Sequence, residues 1–460
     1  MLRDLLSSQK SAFKDHTELR AQINTRQHVA LASGNMVANS QDSEGGVSAR
    51  VYRGGIFGFA SGATYTTEGV KNVLSAATDN AIFMDSQVKK GSPPLPSAAS
   101  GNQGLVISPG LAIPQSYLID FIQAIDAMIV KKFSNLSSRT VAANILNKEK
   151  LLVVSDGTNS HFYQPRSMVY VVMTADTSDG VPVELYAPLG RLGHFDEIFT
   201  DPSLLEGELD TLYESLMKKR DGIFPRAGLN KVILGPKMAG MLAHEAIGHT
   251  VEADAVLNGS VASFNLNKQV ASELVSMVDY AHTYNGEPCP LPVYVDDEGI
   301  AAEDAILIKN GILAGYMHNR DTARQLDAKP QGNARAFTFS DEPLIRMRNT
   351  AIVPGDSKLE DMIASVDNGY YLVSSGNGQA DQTGEFTFSV GEGYEIKNGK
   401  IGRALREISV SGVAFDMLKT IDMVSDDMHW DISGFCGKKQ PMTCGMGGPA
   451  MRCDINLGGK

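Results

Sequence analysis

Along the first half of the chain, apolar residues recur with two periods, one near 3.6 residues and one of two, which predicts helices and strands in alternation. Met1–Gln9 carries a helical pattern, and short alternating stretches follow it. In Gly46–Ser61 (GVSARVYRGGIFGFAS) a Gly-Gly pair parts two strand-like runs, the pattern of a hairpin. Thr67–Ala77 predicts a helix, and Ser86–Gly104, rich in Pro, Gly, Ser and Lys, predicts a surface loop. Pro114–Phe133 carries a long apolar stripe at helical spacing. Strands are expected at Lys150–Ser155, His161–Thr174 and Val181–Leu189, and the Asp-Gly and Ser-Asp-Gly signals between them predict an antiparallel meander. Asp201–Lys219 begins on Asp-Pro and runs out into Lys-Lys-Arg, which suits the two ends of a helix.

Beyond Arg220 the pattern shortens to strand-length runs with Gly, Asp and Asn turns, so a boundary is expected in Gly222–Asn230. Lys309-Asn310-Gly311 and Lys397-Asn398-Gly399 predict tight hairpin turns, because an Asn-Gly pair supplies the positive φ angles they need. The expected fold class is α+β. An N-terminal α/β domain (1–225) has an antiparallel sheet and long helices, and a C-terminal mostly-β domain (226–460) carries one apolar helical run, Gly235–Leu257.

Composition narrows the function. The 460 residues leave room for two domains, and 43 % apolar with 20 % charged residues excludes a disordered or collagenous chain. Lys plus Arg number 41 and Asp plus Glu 53, and the difference of −12 weighs against nucleic acid and against an acidic membrane surface as partners. Met1–Arg20 is too broken by charge for a signal peptide, and no run of 18 apolar residues occurs, so the expected location is cytoplasmic. The four cysteines (Cys289, Cys436, Cys444, Cys453) are then expected as thiols or ligands rather than as a disulfide scaffold.

The candidate chemistry lies in the apolar run, as His244-Glu245-Ala246-Ile247-Gly248-His249. Two imidazoles and a carboxylate are costly in such surroundings unless compensated, and a metal ion compensates them. In the familiar zinc-peptidase motif the second His follows four residues after the first. Here it follows after five, which on a regular helix turns the rings about 140° apart. Sharing one ion requires a π-type irregularity, expected at Ala246–His249, where Gly248 resists it least. A catalytic zinc site takes three protein ligands. The candidates for the third are Glu252 and Asp254 nearby, or a distant cysteine. A separate cluster of Cys436, Cys444 and Cys453 is disfavoured, since their spacings lack a Cys-x-x-Cys knuckle.

Several long strings carry a family resemblance: HEAIGHTVEAD (His244–Asp254), VYVDDE (Val293–Glu298), LAGYMHNRDTA (Leu313–Ala323), RMRNTAIVP (Arg346–Pro354) and GFCGK (Gly434–Lys438). Through them the chain resembles the TldD/PmbA family of metalloproteases, also described as modulators of DNA gyrase. The resemblance implies zinc held by His244, His249 and Cys436, in a catalytic subunit that forms dimers with itself or with a related inactive subunit lacking the motif. Cys444 and Cys453 fall outside the family pattern. Given zinc, Glu245 is expected as the general base that lets water attack a peptide carbonyl, with peptides or unfolded segments as substrate. The rival readings are a non-catalytic binding or scaffolding subunit and a gyrase modulator. Glu252 and Asp254 either orient an imidazole or are solvated carboxylates. A structural salt bridge is preferred over substrate binding for His318 and Arg320, and Trp430 is expected to pack in the core.

Overall fold

A computed structural model describes residues 2–91, 93–96, 104, 106–107 and 112–458. Its first half is built on one antiparallel sheet of β1 (His16–Ala32), β2 (Asn35–Arg53), β3 (Ile56–Gly62), β4 (Ser138–Val154), β5 (Asn159–Asp176) and β6 (Pro182–Leu192), in the order β3-β2-β1-β4-β5-β6. The expected meander is present as β4–β6, and the Gly-Gly hairpin as β2–β3, with Gly54 and Gly55 at φ 57° and 100°. The strands are longer than the pattern indicates: β1 and β2 run for 17 and 19 residues. Their ladder continues through polar pairs such as Gln27 and Gln41, because pairing needs only the backbone.

Besides a single turn at Phe195–Ile198, the helices are α1 (Leu2–Ser7), α2 (Thr67–Val88), α3 (Gln115–Lys132) and α4 (Glu206–Arg220). α2 runs on past Ala77 and takes in Ser86–Val88, which corrects the start of the expected loop; it stops where Lys89 adopts a left-handed φ of 49°. Within the rest of that loop, residues 92 and 97–103 lie outside the described residues. Before α4, Asp201 accepts a hydrogen bond from Ser203 N (2.8 Å), so the expected helix opens with a short 3₁₀ turn over Pro202–Leu205.

Strand alternation gives this sheet two faces. On one, Leu19, Ala21, Val47, Ala49 and Val51 pack under α2, while Val29, Leu31, Val141 and Val169 pack under α3 and α4. The other face carries Glu18, Arg20, Gln22, Asn24, Arg50, Lys148, Lys150 and Arg166, all but Lys150 deeply buried, and it meets the second half of the chain. There Arg50 pairs with Glu298, Lys150 Nζ reaches Asp297 Oδ2 at 2.7 Å, and Gln22 and Asn24 donate to Phe337 O at 2.6 and 2.7 Å.

The second half is rich in strands. Asn368–Ala380, Gly228–Leu234, Met451–Gly458, Ile408–Val413 and Glu385–Lys397 pair in that order, and the last pairs back with the first to close a small barrel. A six-stranded sheet lies beside it, with Met277–Tyr280, Asn349–Ile352 and Gly445–Gly448 adjacent near its centre. The two Asn-Gly turns form as expected, with φ of 48° at Asn310 and Asn398. Trp430 is half-buried against Tyr280 and Tyr284 rather than in the core. Among the described residues, no helix is long and apolar enough to cross a membrane.

Candidate metal centre

The barrel strand Gly228–Leu234 leads into α5 (Pro236–Leu242), with Pro236 at the first helical position, where its missing N–H costs nothing. The helix does not continue regularly. A π-helical turn occupies Ala243–Ile247 and a 3₁₀ turn Gly248–Val251. The wider turn absorbs the extra residue of the His-to-His spacing. The two rings stand with centroids 5.2 Å apart and planes at 83°.

The irregularity begins before Ala246, and Gly248 is not its cause. Gly248 has ordinary helical angles (φ −53°, ψ −48°); the backbone departs at Ile247, with φ −115°. Glycine is required at 248 for space, since a Cβ there would lie 2.2 Å from Met347 Sδ and 3.0 Å from Ala243 O.

Cys436 comes to the two histidines on a two-stranded hairpin, Phe435–Cys436 paired with Met442–Thr443. Its Sγ lies 3.3 Å from His249 Nε2. The donor atoms of His244, His249 and Cys436 all fall within 4.8 Å of one another, the one such trio of His, Cys or carboxylate groups among the described residues. Glu245 stands over it, Oε1 4.0 Å from His244 Nε2 and Oε2 3.8 Å from His249 Nε2. His244 and Cys436 are buried, whereas the side chains of Glu245 and His249 are each 27 % exposed, so the cluster opens to solvent on the Glu245 side.

Two further segments fix these groups. Glu252, buried, accepts a hydrogen bond from His249 Nδ1 at 3.0 Å, which aims Nε2 at the sulfur. The same oxygen takes Lys438 Nζ at 3.0 Å, and Asp254 takes it at 2.7 Å, tying the hairpin turn to the helix. Arg346, fully buried, donates to the carbonyls of Cys436, Lys438 and Gln440 at 2.8, 3.0 and 2.7 Å. Arg335 donates to Thr443 O at 3.0 Å. The positioning roles of Arg346, Arg335 and Lys438 are not legible as spacing. The one hint is charge inside strings that are otherwise small or apolar, RMRNTAIVP above all.

Burial by itself would push the Cys436 thiol up, but hydrogen bonds and charge from His244 and His249 outweigh it and bring its pKa down to about 3. Burial would likewise lower His249, and Cys436 and Glu252 instead raise it to about 9. The two shifts run in the directions of opposite charges that face each other, and because zinc takes deprotonated ligands, uptake of an ion here is coupled to proton release. Two imidazoles and a soft sulfur fit zinc and are a poor match for magnesium or calcium.

Other candidates are engaged elsewhere. Arg320 pairs with Asp156 and donates to Glu298 O at 3.2 Å, a link between the two halves of the chain, in line with the preferred salt-bridge reading. His318 faces Thr322 Oγ1 at 3.2 Å, and burial draws its pKa down to about 4. Cys289 is buried between two prolines, and Cys453 sits on the barrel strand opposite Val232. Cys444 lies beside the trio, its Sγ 3.9 Å from His244 Nε2.

Comparison with known proteins places these features in context. Residues 227–459 match the PmbA/TldA metallopeptidase C-terminal domain, and residues 17–81 match PmbA/TldA metallopeptidase domain 1. The chain is 35 % identical over 310 residues to a zinc metalloprotease TldD homolog of Saccharolobus solfataricus, covering 67 % of this chain and 66 % of that protein. It is 29 % identical to a metalloprotease of Methanothermobacter thermautotrophicus over 95 % of this chain and 94 % of that one. Its fold is that of a putative modulator of a DNA gyrase from Thermotoga maritima (TM-score 0.77, 18 % identity, 99 % of each chain). TldE from Thermococcus kodakarensis has the same fold (TM-score 0.76, 16 % identity, 100 % of each chain).

Proposed function

Because the chain belongs to the PmbA/TldD metallopeptidase family, we propose that it is a zinc-dependent peptidase acting on peptides or unfolded polypeptide segments. One observation carries this reading: three buried or half-buried donors converge within 4.8 Å, with a carboxylate on their open side. His244, His249 and Cys436 would hold the ion. Held there, the ion would supply Lewis acidity and would lower the pKa of water toward about 7.

The remaining work belongs to the chain. Glu245, adjacent to His244 and partly exposed, is near enough to take a proton from the attacking water and return it to the leaving amine. Glu252 holds His249 in the tautomer that leaves Nε2 free as a ligand. We assign the activity to the cytoplasm, supported by four free cysteines, all buried. We also carry over from the family resemblance an assembly of two such chains, or of this chain with a related subunit lacking the motif; sedimentation of the purified protein with and without such a subunit tests it.

The test of function combines metal analysis with hydrolysis of an unfolded polypeptide. About one zinc per chain is expected. Glu245→Gln should retain that zinc and lose about 10²- to 10⁴-fold in turnover, the range of a positioned acid–base group. A purified protein without zinc and without turnover would favour a scaffolding subunit, and activity of Glu245→Gln within a few-fold of wild type would assign the base elsewhere.

A further inference from the structure

The hairpin that delivers Cys436 delivers a second thiol. Cys436 pairs with Met442 across the hairpin, and Cys444, two residues on from Met442 and just past the end of that strand, comes to the same cluster. Its Sγ lies 3.9 Å from His244 Nε2, the nitrogen that also faces Glu245. Both side chains are 1 % exposed. The backbone around Cys444 is pinned on both sides, by Arg335 donating to Thr443 O (3.0 Å) and by Gly445 N donating to Arg348 O (2.8 Å), so this sulfur is aimed by the fold.

One spacing, from Cys444 to His244, is near that of neighbouring ligands. Zn–S near 2.3 Å and Zn–N near 2.0–2.1 Å at a tetrahedral angle put sulfur and nitrogen about 3.6 Å apart. The two sulfur-to-imidazole contacts here, 3.3 Å for Cys436 with His249 and 3.9 Å for Cys444 with His244, fall on either side of that value. Cys444 stands outside the tight trio and touches it through His244.

Resting on the zinc reading above, we propose that Cys444 is a supplementary, displaceable ligand: it takes the fourth position in a closed two-His, two-Cys resting centre and leaves it when substrate enters. Closed four-ligand sites are structural and three-ligand sites catalytic; this chain has donors for both. No redox change is involved. Cys444 gives up its thiol proton to solvent as the S–Zn bond forms and regains one as that bond breaks.

X-ray absorption at the zinc edge of the unmodified, zinc-loaded protein reads the number of sulfur neighbours directly, and cobalt substitution reads it again through thiolate charge-transfer absorption. Two sulfurs are expected in the wild type and one in Cys444→Ala, which keeps about one zinc per chain. Cys436→Ala, left with the two imidazoles and the displaceable thiol, holds zinc much more weakly than Cys444→Ala does. A single sulfur in the wild type would overturn the role of Cys444 while leaving the peptidase reading intact, whereas a wild type that binds no zinc removes both. Loss of zinc from Cys444→Ala as complete as from Cys436→Ala would also overturn it, since Cys444 would then be an obligatory ligand.

Discussion

His244 and His249 lie five residues apart on one short irregular helix, while Cys436 arrives 187 positions after His249 on a hairpin, and different forces hold the two segments. The helix is held locally. Met238, Ala239, Leu242, Ala243, Ala246 and Ile247 are buried in the largest apolar core, which holds the helix and its π-turn in place. The hairpin has strands of two residues each, and of the large apolar residues on them only Met442 is buried, in a small cluster with Leu146 and Phe337. Its carbonyls are gathered by Arg346 and Arg335, and its turn is tied down by Lys438 to Glu252 and Asp254. Apolar burial is non-directional, whereas charged hydrogen bonds fix atoms at stated distances. A late-arriving ligand on a thin support needs the second kind of force.

The largest effect that separates the two segments is expected from Cys436→Ser. The histidine pair stays in place on its own core, yet what remains with it is only the displaceable Cys444, a weaker zinc site than one that holds Cys436. Metal content should fall from about one ion per chain to near none, and peptide hydrolysis should fall with it. Cys453→Ser, on the barrel strand, should change neither. Equal zinc in wild type and Cys436→Ser, measured by atomic absorption, would mean that the hairpin contributes no ligand.

Next in size is Arg346→Met, which touches neither histidine nor cysteine side chains. It withdraws the donors from three carbonyls, two of them in fully buried bonds, each bond to a charged group being worth about 1.5–3 kcal/mol. We expect a loss of at least about 3 kcal/mol in chemical denaturation and weaker zinc binding through a wandering Cys436. Unchanged zinc affinity in a folded Arg346→Met protein would show that the hairpin holds its sulfur without the arginine, and the contrast drawn above would fail.

A smaller effect is expected where the two segments are joined. Glu252→Gln keeps shape and one acceptor but gives up the charge that both His249 Nδ1 and Lys438 Nζ approach at 3.0 Å. Loss of such a supporting partner lowers metal affinity by about 10- to 100-fold, or about 1.4–2.7 kcal/mol. Competition with a chelator measures it. A change of less than two-fold would leave His249 oriented by the helix alone.

How much of this was legible follows the same division. The helix declared itself, because the His-Glu string and the apolar residues around it are contiguous, and the five-residue spacing itself demanded an irregular turn. Cys436 was reached only through family resemblance, since no local pattern marks it off from Cys444 eight residues later. The buried arginines carry no spacing signal at all. The N-terminal sheet repeats the lesson. Alternation marked strands, yet nothing in Glu18, Arg20, Gln22 and Asn24 distinguishes a solvent-facing row from one buried against Phe337 and Asp297. Period two identifies the faces of a sheet, and what covers each face is decided by residues far along the chain.

The smallest effect, and the sharpest on the helix, is expected from Gly248→Ala. Two contributions oppose each other. Alanine is favoured over glycine in a helix by about 1 kcal/mol, and the φ of −53° at this position accepts it without strain. Against that, its Cβ would stand 2.2 Å from Met347 Sδ, and Met347 is 2 % exposed in a packed core, so the thioether must shift or the turn must open. Overpacking of this kind costs about 1–3 kcal/mol. The second Cβ contact, 3.0 Å to Ala243 O, lies within the π-turn itself, where no flexible side chain yields. A net destabilisation of about 1 kcal/mol is expected, with zinc retained. The double variant Gly248→Ala, Met347→Ala separates the causes: truncating Met347 should remove most of the penalty of Gly248→Ala, because the two residues share one contact. Additive losses in the double variant would show that the glycine answers to the backbone after all, and that the irregular turn, rather than the Met347 side chain packed against it, sets the size of residue 248.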